Sequence, residues 1–517
     1  MLQDTQKIIQ GATWFGLGTA IGIVLEYAIN GTIAFFLGPV EYGIFNVGIR
    51  VFTISLLLSL MASPSSLSFF IPVFEKAGNE ERTGQAISVA LGLNLIGSLV
   101  VGAGLVMMSS VLAKRVFNEP GLVHVLQPLA VGLPGATFLA STAGALRGFK
   151  LSRQASLLTS TYDRGLRFLF ILLFLWLGWG LFGVGLAYIP ASLLAFFFGF
   201  RNLINKFDVF GRFSIRKTML TRIFTYSGPL LVSQLLTELR NSTHPLLLAY
   251  FLDSRAVGLF SIANLIAGSF GMVLVAFNFL YVPVISGLSF HTDFDRIKRI
   301  FQMVSTWGLT LLFPVWAVIV LFPEPFLMFF GSQYAEGAWA LRILITGAFL
   351  SVSMGALGTT LLASGQTRVY LVTNIVGIVA GILLSLGLIP AHGLIGASTA
   401  YAITILIWNS VTLVVIYQRF RLHPLNKTYL MVTLVNLAGM LPLSLVANYF
   451  LQFSFWIILA ILPIHYGLVQ FFILRFRLMD EDNLAVAYQT ISEYRIQLDK
   501  LRNPKNHDPN KGDHHDS

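Results

Sequence analysis

Apolar runs of about 20 residues, the length of helix that crosses a hydrocarbon core of about 30 Å, recur along nearly the whole chain between short polar turns. Each run predicts a membrane-spanning helix. Taken in order, about fourteen such spans appear by that length criterion, at residues 12–36, 43–70, 85–112, 123–146, 155–177, 181–200, 223–250, 256–288, 300–322, 338–363, 369–389, 394–417, 429–450 and 453–474. The fold class expected is all-α integral membrane. Beyond residue 474 the pattern changes, because Leu484, Tyr488, Ile491, Leu498 and Leu501 fall at helical spacing on a charged background. That segment predicts a cytoplasmic amphipathic helix, and His507, His514 and His515 follow it in a polar tail read as disordered.

Two of the turns are nearly the same. Residues 36–45 read FLGPVEYGIF and residues 251–260 read FLDSRAVGLF, 215 positions later. A second echo joins LRGFK at 146–150 to ASGQT at 363–367. The chain is therefore read as a duplication, an arrangement that in transporters puts the substrate site between the halves. Six spans per half is an even number, so the halves run parallel, about an axis along the membrane normal. The expected organisation is a first six-helix lobe at 1–200, a basic linker at 201–222, a second lobe at 223–417, an added hairpin at 418–475 and the tail at 476–517.

Composition removes the soluble reading. The chain is 56% hydrophobic and 11% charged, against roughly 25% charge in soluble domains, with a mean hydropathy of +0.76. Its net charge of +11 is spread over alternate loops, which argues for membrane orientation rather than nucleic acid. Lys76, Arg147, Lys150, Arg201, Lys206, Arg212, Arg216, Arg296, Lys298, Arg368 and Lys427 fall on one side, whereas Lys114, Arg115 and Arg255 fall on the other. Positive residues stay inside, so both termini are placed in the cytoplasm. The first residues lack a cleavable signal layout, and the first span is expected to persist. Cysteine is absent, which excludes disulfides and thiol chemistry. No phosphate-binding G-x-x-x-x-G-K-[ST] loop is present either.

The stretch LGPVEYGIF at 37–45, then ASPSSLSFFIPVF at 62–74 and the charged turn EKAGNEER, resembles the polysaccharide transporters of the multidrug/oligosaccharidyl-lipid/polysaccharide flippase superfamily, O-antigen-type flippases among them. PLLLAYFLDSRAVGLFSIANLI at 245–266 and LLASGQTR at 361–368 are similar to that family's second-half junctions. The resemblance covers roughly residues 5–475. It implies two MATE-like lobes around a central cavity and movement of a polyprenyl-linked glycan, with membrane lipids around the chain and glycan-assembly enzymes as partners. It implies no cofactor; with no phosphate-binding loop, the energy source is read as an ion gradient (Na+ or H+), the membrane potential or substrate consumption.

Ionisable residues at bilayer depth are costly and default to functional candidates. Arg50, Arg164, Arg167 and Arg240 stand against Glu26, Glu238 and Asp163 at that depth, which leaves a net positive interior. A guanidinium binds phosphate through two parallel hydrogen bonds. Arg50, Arg240, Arg164 and His244 are therefore the candidate headgroup contacts. Asp163 and Arg167, four residues apart, are read as a structural pair. Glu26 and Glu238, taken as equivalents in the duplication, are proton- or sodium-site candidates. The resemblance adds Asn374 and Thr399 beside Glu238 as oxygen ligands for sodium, although the eleventh span lacks the aspartate the family's lipid II flippases carry there. No metal-ligand cluster is expected. His465 reads as a packing residue, Pro229 and Pro283 as hinges, and Trp339 and Tyr42 as interface anchors. Two alternatives stand beside a lipid-linked oligosaccharide flippase: a drug or organic-cation exporter of the same fold, and a membrane-embedded glycan polymerase. Buried arginines weigh against the first, and short, nearly uncharged outer loops against the second.

Overall fold

The computed structural model describes residues 2–449, apart from 62, 210–213, 215, 287, 289 and 291–292, together with residues 463, 466 and 467. The helices are α1 Leu2–Leu60, α2 Ser63–Lys76, α3 Glu80–Val111, α4 Val123–Gly148, α5 Ser152–Ser156, α6 Asp163–Trp176, α7 Gly180–Leu186 and α8 Tyr188–Lys206. They continue with α9 Lys217–Phe251, α10 Ser254–Ser286, α11 Phe294–Leu321, α12 Pro323–Met328, α13 Ala338–Ser353, α14 Leu357–Ala363, α15 Thr367–Phe420 and α16 Lys427–Tyr449. A π-helical turn at Leu157–Tyr162 joins α5 to α6. The protein is an all-helical, multi-pass membrane protein. Eight described stretches are long and apolar enough to cross a bilayer: Ala20–Lys76, Glu80–Val116, Pro120–Gly148, Gly180–Lys206, Ser254–Asn278, Phe294–Leu321, Ser332–Ala363 and Thr367–Phe420. The helical stretches that carry Asp163, Arg164 and Arg167, and Glu238 and Arg240, are not among them.

Two of the eight are too long for one crossing. A straight helix the length of α1, 59 residues, would measure about 90 Å at 1.5 Å per residue. Gly38 breaks it, with φ 75° and ψ 178°, and the Tyr42 hydroxyl then reaches back to Asn30 Oδ1 at 3.0 Å. Residues twelve apart on one straight helix are separated by about 18 Å, so α1 folds into a hairpin. The same holds for α15, broken at Gly393 with φ 57°. A Cβ on Gly381 would lie 3.3 Å from Thr404, and one on Gly377 would lie 3.5 Å from Trp408. The two legs of α15 therefore run side by side. A left-handed φ suits glycine, which has no Cβ to clash.

The 215-residue offset of the first sequence echo reappears in the backbone. Lys150 and Gly365 have φ of 61° and 76°, and Gly178 and Gly393 have 77° and 57°. Glycine supplies three of these four left-handed positions. The same offset sets Asn241, not Glu238, opposite Glu26; Glu238 lies about one helical turn earlier.

Apolar packing holds the two halves together at one end. At the end marked by the turns around Gly38 and Asp253, a single core runs from Ile33, Phe45 and Leu126 in the first half to Phe260, Leu341 and Ile345 in the second. Toward the other end it divides. One cluster there gathers Leu67, Ile71, Ala143 and Leu146, and a separate one gathers Phe301, Leu357, Leu361 and Ile416.

Tyr42 corrects one expectation. It is 1% exposed, bonded to Asn30 and set edge-on to Tyr334, so it ties the first hairpin to the core rather than anchoring at an interface. Trp339 is 62% exposed, with the Arg342 guanidinium 4.8 Å over its ring. The last predicted span is outside the described residues save for positions 463, 466 and 467. His465, the amphipathic segment and the terminal histidines lie outside them too.

Candidate functional site

Helix α1 meets α10 at the turn end through two glycines that exchange roles. A Cβ on Gly43 would come within 1.7 Å of the Ser254 carbonyl oxygen, and one on Gly258 within 1.9 Å of the Pro39 carbonyl oxygen. The two backbones touch, and no larger residue fits at either position. Each glycine meets the carbonyl that sits four residues before the other, as a two-fold crossing requires. At the opposite end the contact is made of side chains: Ser66 with Ser227, Phe69 stacked on Tyr226 with centroids 4.5 Å apart, and Arg216 paired with Glu81 at 3.0 Å. The halves thus meet at both ends, by backbone packing at one and by side chains at the other.

Between these two contacts lie the charges. Arg50 on α1 reaches across to Glu238 on α9, Nη1 to Oε1, at 3.8 Å. Ser242 donates to the same carboxylate oxygen at 2.7 Å. The Arg50 Nε–H is buried and has no partner among the described residues. The pair is loose, and the arginine keeps a donor in reserve. Arg164 on α6 lies 3.5 Å from Glu26 on α1, whose other oxygen accepts from Asn30 at 3.3 Å. Tyr27, next to Glu26, donates to the Leu265 carbonyl of the second half at 2.7 Å.

Asp163 and Arg167 form the pair expected from their spacing, and the guanidinium lies 4.2 Å over the Tyr188 ring. They edge a cavity of about 170 Å³ in the first half, walled by Phe52, Leu56, Gly132, Ala136 and Ser192. Removing one partner of a buried pair costs about 3–5 kcal/mol because the other charge stays behind. Asp163→Asn is therefore expected to lower the thermal midpoint of the purified protein by far more than Glu336→Gln. Glu336 pairs with Arg255 in solvent, where such pairs are worth about 0–1 kcal/mol.

Arg240 and His244, four residues apart on α9, come together. Both line a cavity of about 200 Å³ with Asn241, Ser351, Tyr401, Thr404, Ile405 and Trp408. Arg240 Nη1 donates to Asn374 Oδ1 at 2.9 Å, and its plane lies 4.7 Å over Trp408. His244 Nδ1 bonds the Ser385 hydroxyl at 2.9 Å. The suggested sodium ligands are not brought together. Asn374 has its oxygen engaged by a guanidinium and Glu238 faces Arg50. Thr399 donates to its own helix at Ile395, about 18 Å along the α15 hairpin from the level of Asn374. Among the described residues no group of three or more His, Asp or Glu has metal-binding geometry. Sequence reasoning missed Trp408, Tyr401 and Ser351. The available signal was Trp408, an aromatic usually found at membrane interfaces that sits here well inside an apolar run.

The sequence profile described as "Polysaccharide biosynthesis protein" matches residues 8–289, and the MatE profile matches residues 229–386. Among curated proteins, the uncharacterized membrane protein MJ1068 of Methanocaldococcus jannaschii is 22% identical over 86% of this chain and 90% of its own. MJ1375 of the same organism is 24% identical over 57% of this chain and 71% of its own. Among solved structures, lipid II flippase MurJ in an inward closed conformation superposes with a TM-score of 0.74 at 14% identity, covering 90% of this chain and 99% of that one. An inward-facing multidrug resistance MATE transporter of the MOP superfamily gives 0.59 at 17% identity, covering 79% and 94%. The fold is thus MurJ- and MATE-like.

Proposed function

Because the chain belongs to the polysaccharide biosynthesis protein family, we propose that it is a flippase, not an enzyme, that carries a lipid-linked oligosaccharide across the cytoplasmic membrane by alternating access. In this reading, about fourteen spans form two parallel six-helix lobes with an added hairpin, and both termini are cytoplasmic. The glycan headgroup travels between the lobes while the polyprenyl tail stays in lipid.

The observation that carries the reading is Arg50. It lies between the two contacts that join the halves, bound to the opposite half through one long ion pair, with an unused buried donor. A pyrophosphate offers more charge and better geometry than the Glu238 carboxylate at that distance. Substrate entry then exchanges an interlobe contact for a substrate contact, which loosens the lobes when cargo is present. Arg164 and Arg240 extend the positive surface, and Glu26 and Glu238, once released by their arginines, are the positions for a coupling proton. The exporter reading needs free acidic groups, whereas Glu26, Glu238 and Asp163 each face an arginine.

The test is translocation of a polyprenyl-pyrophosphate glycan in reconstituted vesicles. Protein-dependent appearance of the glycan on the opposite leaflet is expected, and efflux of organic cations without glycan movement overturns the reading. Orientation is checked in the cysteine-free parent. A cysteine at Val40, which is 44% exposed, should label from outside intact cells, and one at Lys427 should not. Outside labelling of a cysteine at Gly211, in the linker, would reverse the proposed topology. Ser254 is 1% exposed and stays protected while the glycine crossing is closed.

A further inference from the structure

Every carboxylate at depth faces an arginine, but the converse does not hold. Arg240 has no carboxylate within ion-pair distance among the described residues, and its recorded hydrogen-bond partner is the neutral amide of Asn374. A guanidinium withdrawn from water without a counter-charge is strongly unfavourable, and this one borders a cavity. The walls there are of two kinds. Trp408 and Tyr401 supply aromatic rings, while Asn241, Ser351 and Thr404 supply neutral polar groups. Thr404 donates to the Ala400 carbonyl and Ser351 accepts from Asn409, so both hydroxyl oxygens are fixed in place. The Trp408 Nε1–H is buried without a partner.

We propose that this cavity between α9, α13 and α15 is a subsite for an acidic sugar, a pyranose bearing a carboxylate, within the transported glycan. The proposal rests on the flippase reading for its cargo. With the pyrophosphate assigned to Arg50, Arg240 is left to meet a separate anion, and one arginine balances a single carboxylate. Geometry agrees. Arg240 Nη1 is engaged by Asn374 and the plane is held over Trp408, which leaves Nε and Nη2, the edge that grips a carboxylate with two parallel bonds. The Tyr401 ring is left to meet the C–H face of a pyranose, since Arg240 holds the face of Trp408, and the neutral polar groups and the spare indole N–H meet its hydroxyls. The volume, about 200 Å³, holds about six waters at about 30 Å³ each, a space that one ring can empty.

The test uses the full chain in lipid nanodiscs with three probes: glucuronate, glucose and inorganic pyrophosphate. Glucuronate is expected to bind at least about tenfold more tightly than glucose, the size of one charged hydrogen bond. Arg240→Gln should erase that difference. Trp408→Phe, which keeps a ring and removes the N–H, should weaken glucuronate severalfold. Equal affinity of the unmodified protein for glucuronate and glucose overturns the proposal, as does displacement of glucuronate by pyrophosphate at lower concentration than by glucuronate itself. Either result needs no variant and is independent of folding. The two readings fail separately. Acid-selective binding without glycolipid translocation removes the flippase and keeps the site, whereas translocation with equal binding of acid and neutral sugar removes the site and keeps the flippase.

Discussion

Alanine at Gly43 or Gly258 is expected to part the two halves at the turn end and stop transport, although it adds one methyl group. The atoms it would meet are carbonyl oxygens of the opposing helix, at 1.7 and 1.9 Å, and a backbone carbonyl cannot swing aside as a side chain can. The helices must part. Overpacking of a tight contact costs about 1–3 kcal/mol, and each 1.4 kcal/mol is tenfold in population, so the closed arrangement should lose about one to two orders of magnitude. A Ser254→Cys reporter reads this directly. It is protected in the parent and should react much faster beside Gly43→Ala. An unchanged labelling rate with full transport in both alanine variants would show that the crossing does not hold the two halves together. The stacked Phe69–Tyr226 layer at the opposite end is made of side chains that can rotate, so Tyr226→Ala should perturb the protein less.

Arg50→Gln should leave translocation nearly absent at unchanged protein level, and Arg50→Lys should retain part of it, since lysine keeps the charge but lacks the fork. Hydrogen bonds to charged groups contribute about 1.5–3 kcal/mol each, a loss of ten- to more than a hundredfold in rate if they act on the bound headgroup. Glutamine at Arg50 also strands the Glu238 carboxylate, and that effect must be separated. The double variant Arg50→Gln/Glu238→Gln removes both charges and so removes the stranded anion. If Arg50 serves the substrate, the double variant stays inactive. Recovery of transport in it would make the arginine a latch alone and sink the headgroup role.

Some of this was legible in the residues and some was not, for reasons that differ by position. Asp163 and Arg167 could be paired from sequence because an i, i+4 spacing fixes two side chains on one helix face. Arg240 and His244 share a cavity for the same reason. The partners of Arg50 and Arg164 were not legible, because they come from other helices: Glu238 from α9 and Glu26 from the first leg of α1. The displacement of Glu238 from the register of Glu26 was legible, because the 215-residue offset of the turns sets Asn241 there. The sodium set of Glu238, Asn374 and Thr399 drew on resemblance, and the α15 hairpin sets Thr399 at another level.

What the sequence by itself determined is the class of the molecule and its internal repetition. Apolar runs of bilayer length leave a chain no structure but helices that satisfy their own backbone groups in lipid. Short turns repeated at a fixed offset specify where those helices reverse, and a left-handed glycine is a local property of its own residue. The tertiary structure alone decided which charges neutralise one another and which arginine is left without a carboxylate. It also decided which glycines carry a crossing, since Gly43 and Gly258 look like ordinary helix glycines until two backbones meet. Coulomb attraction and close packing depend on distances across helices, and those distances are fixed only when the two halves close on each other.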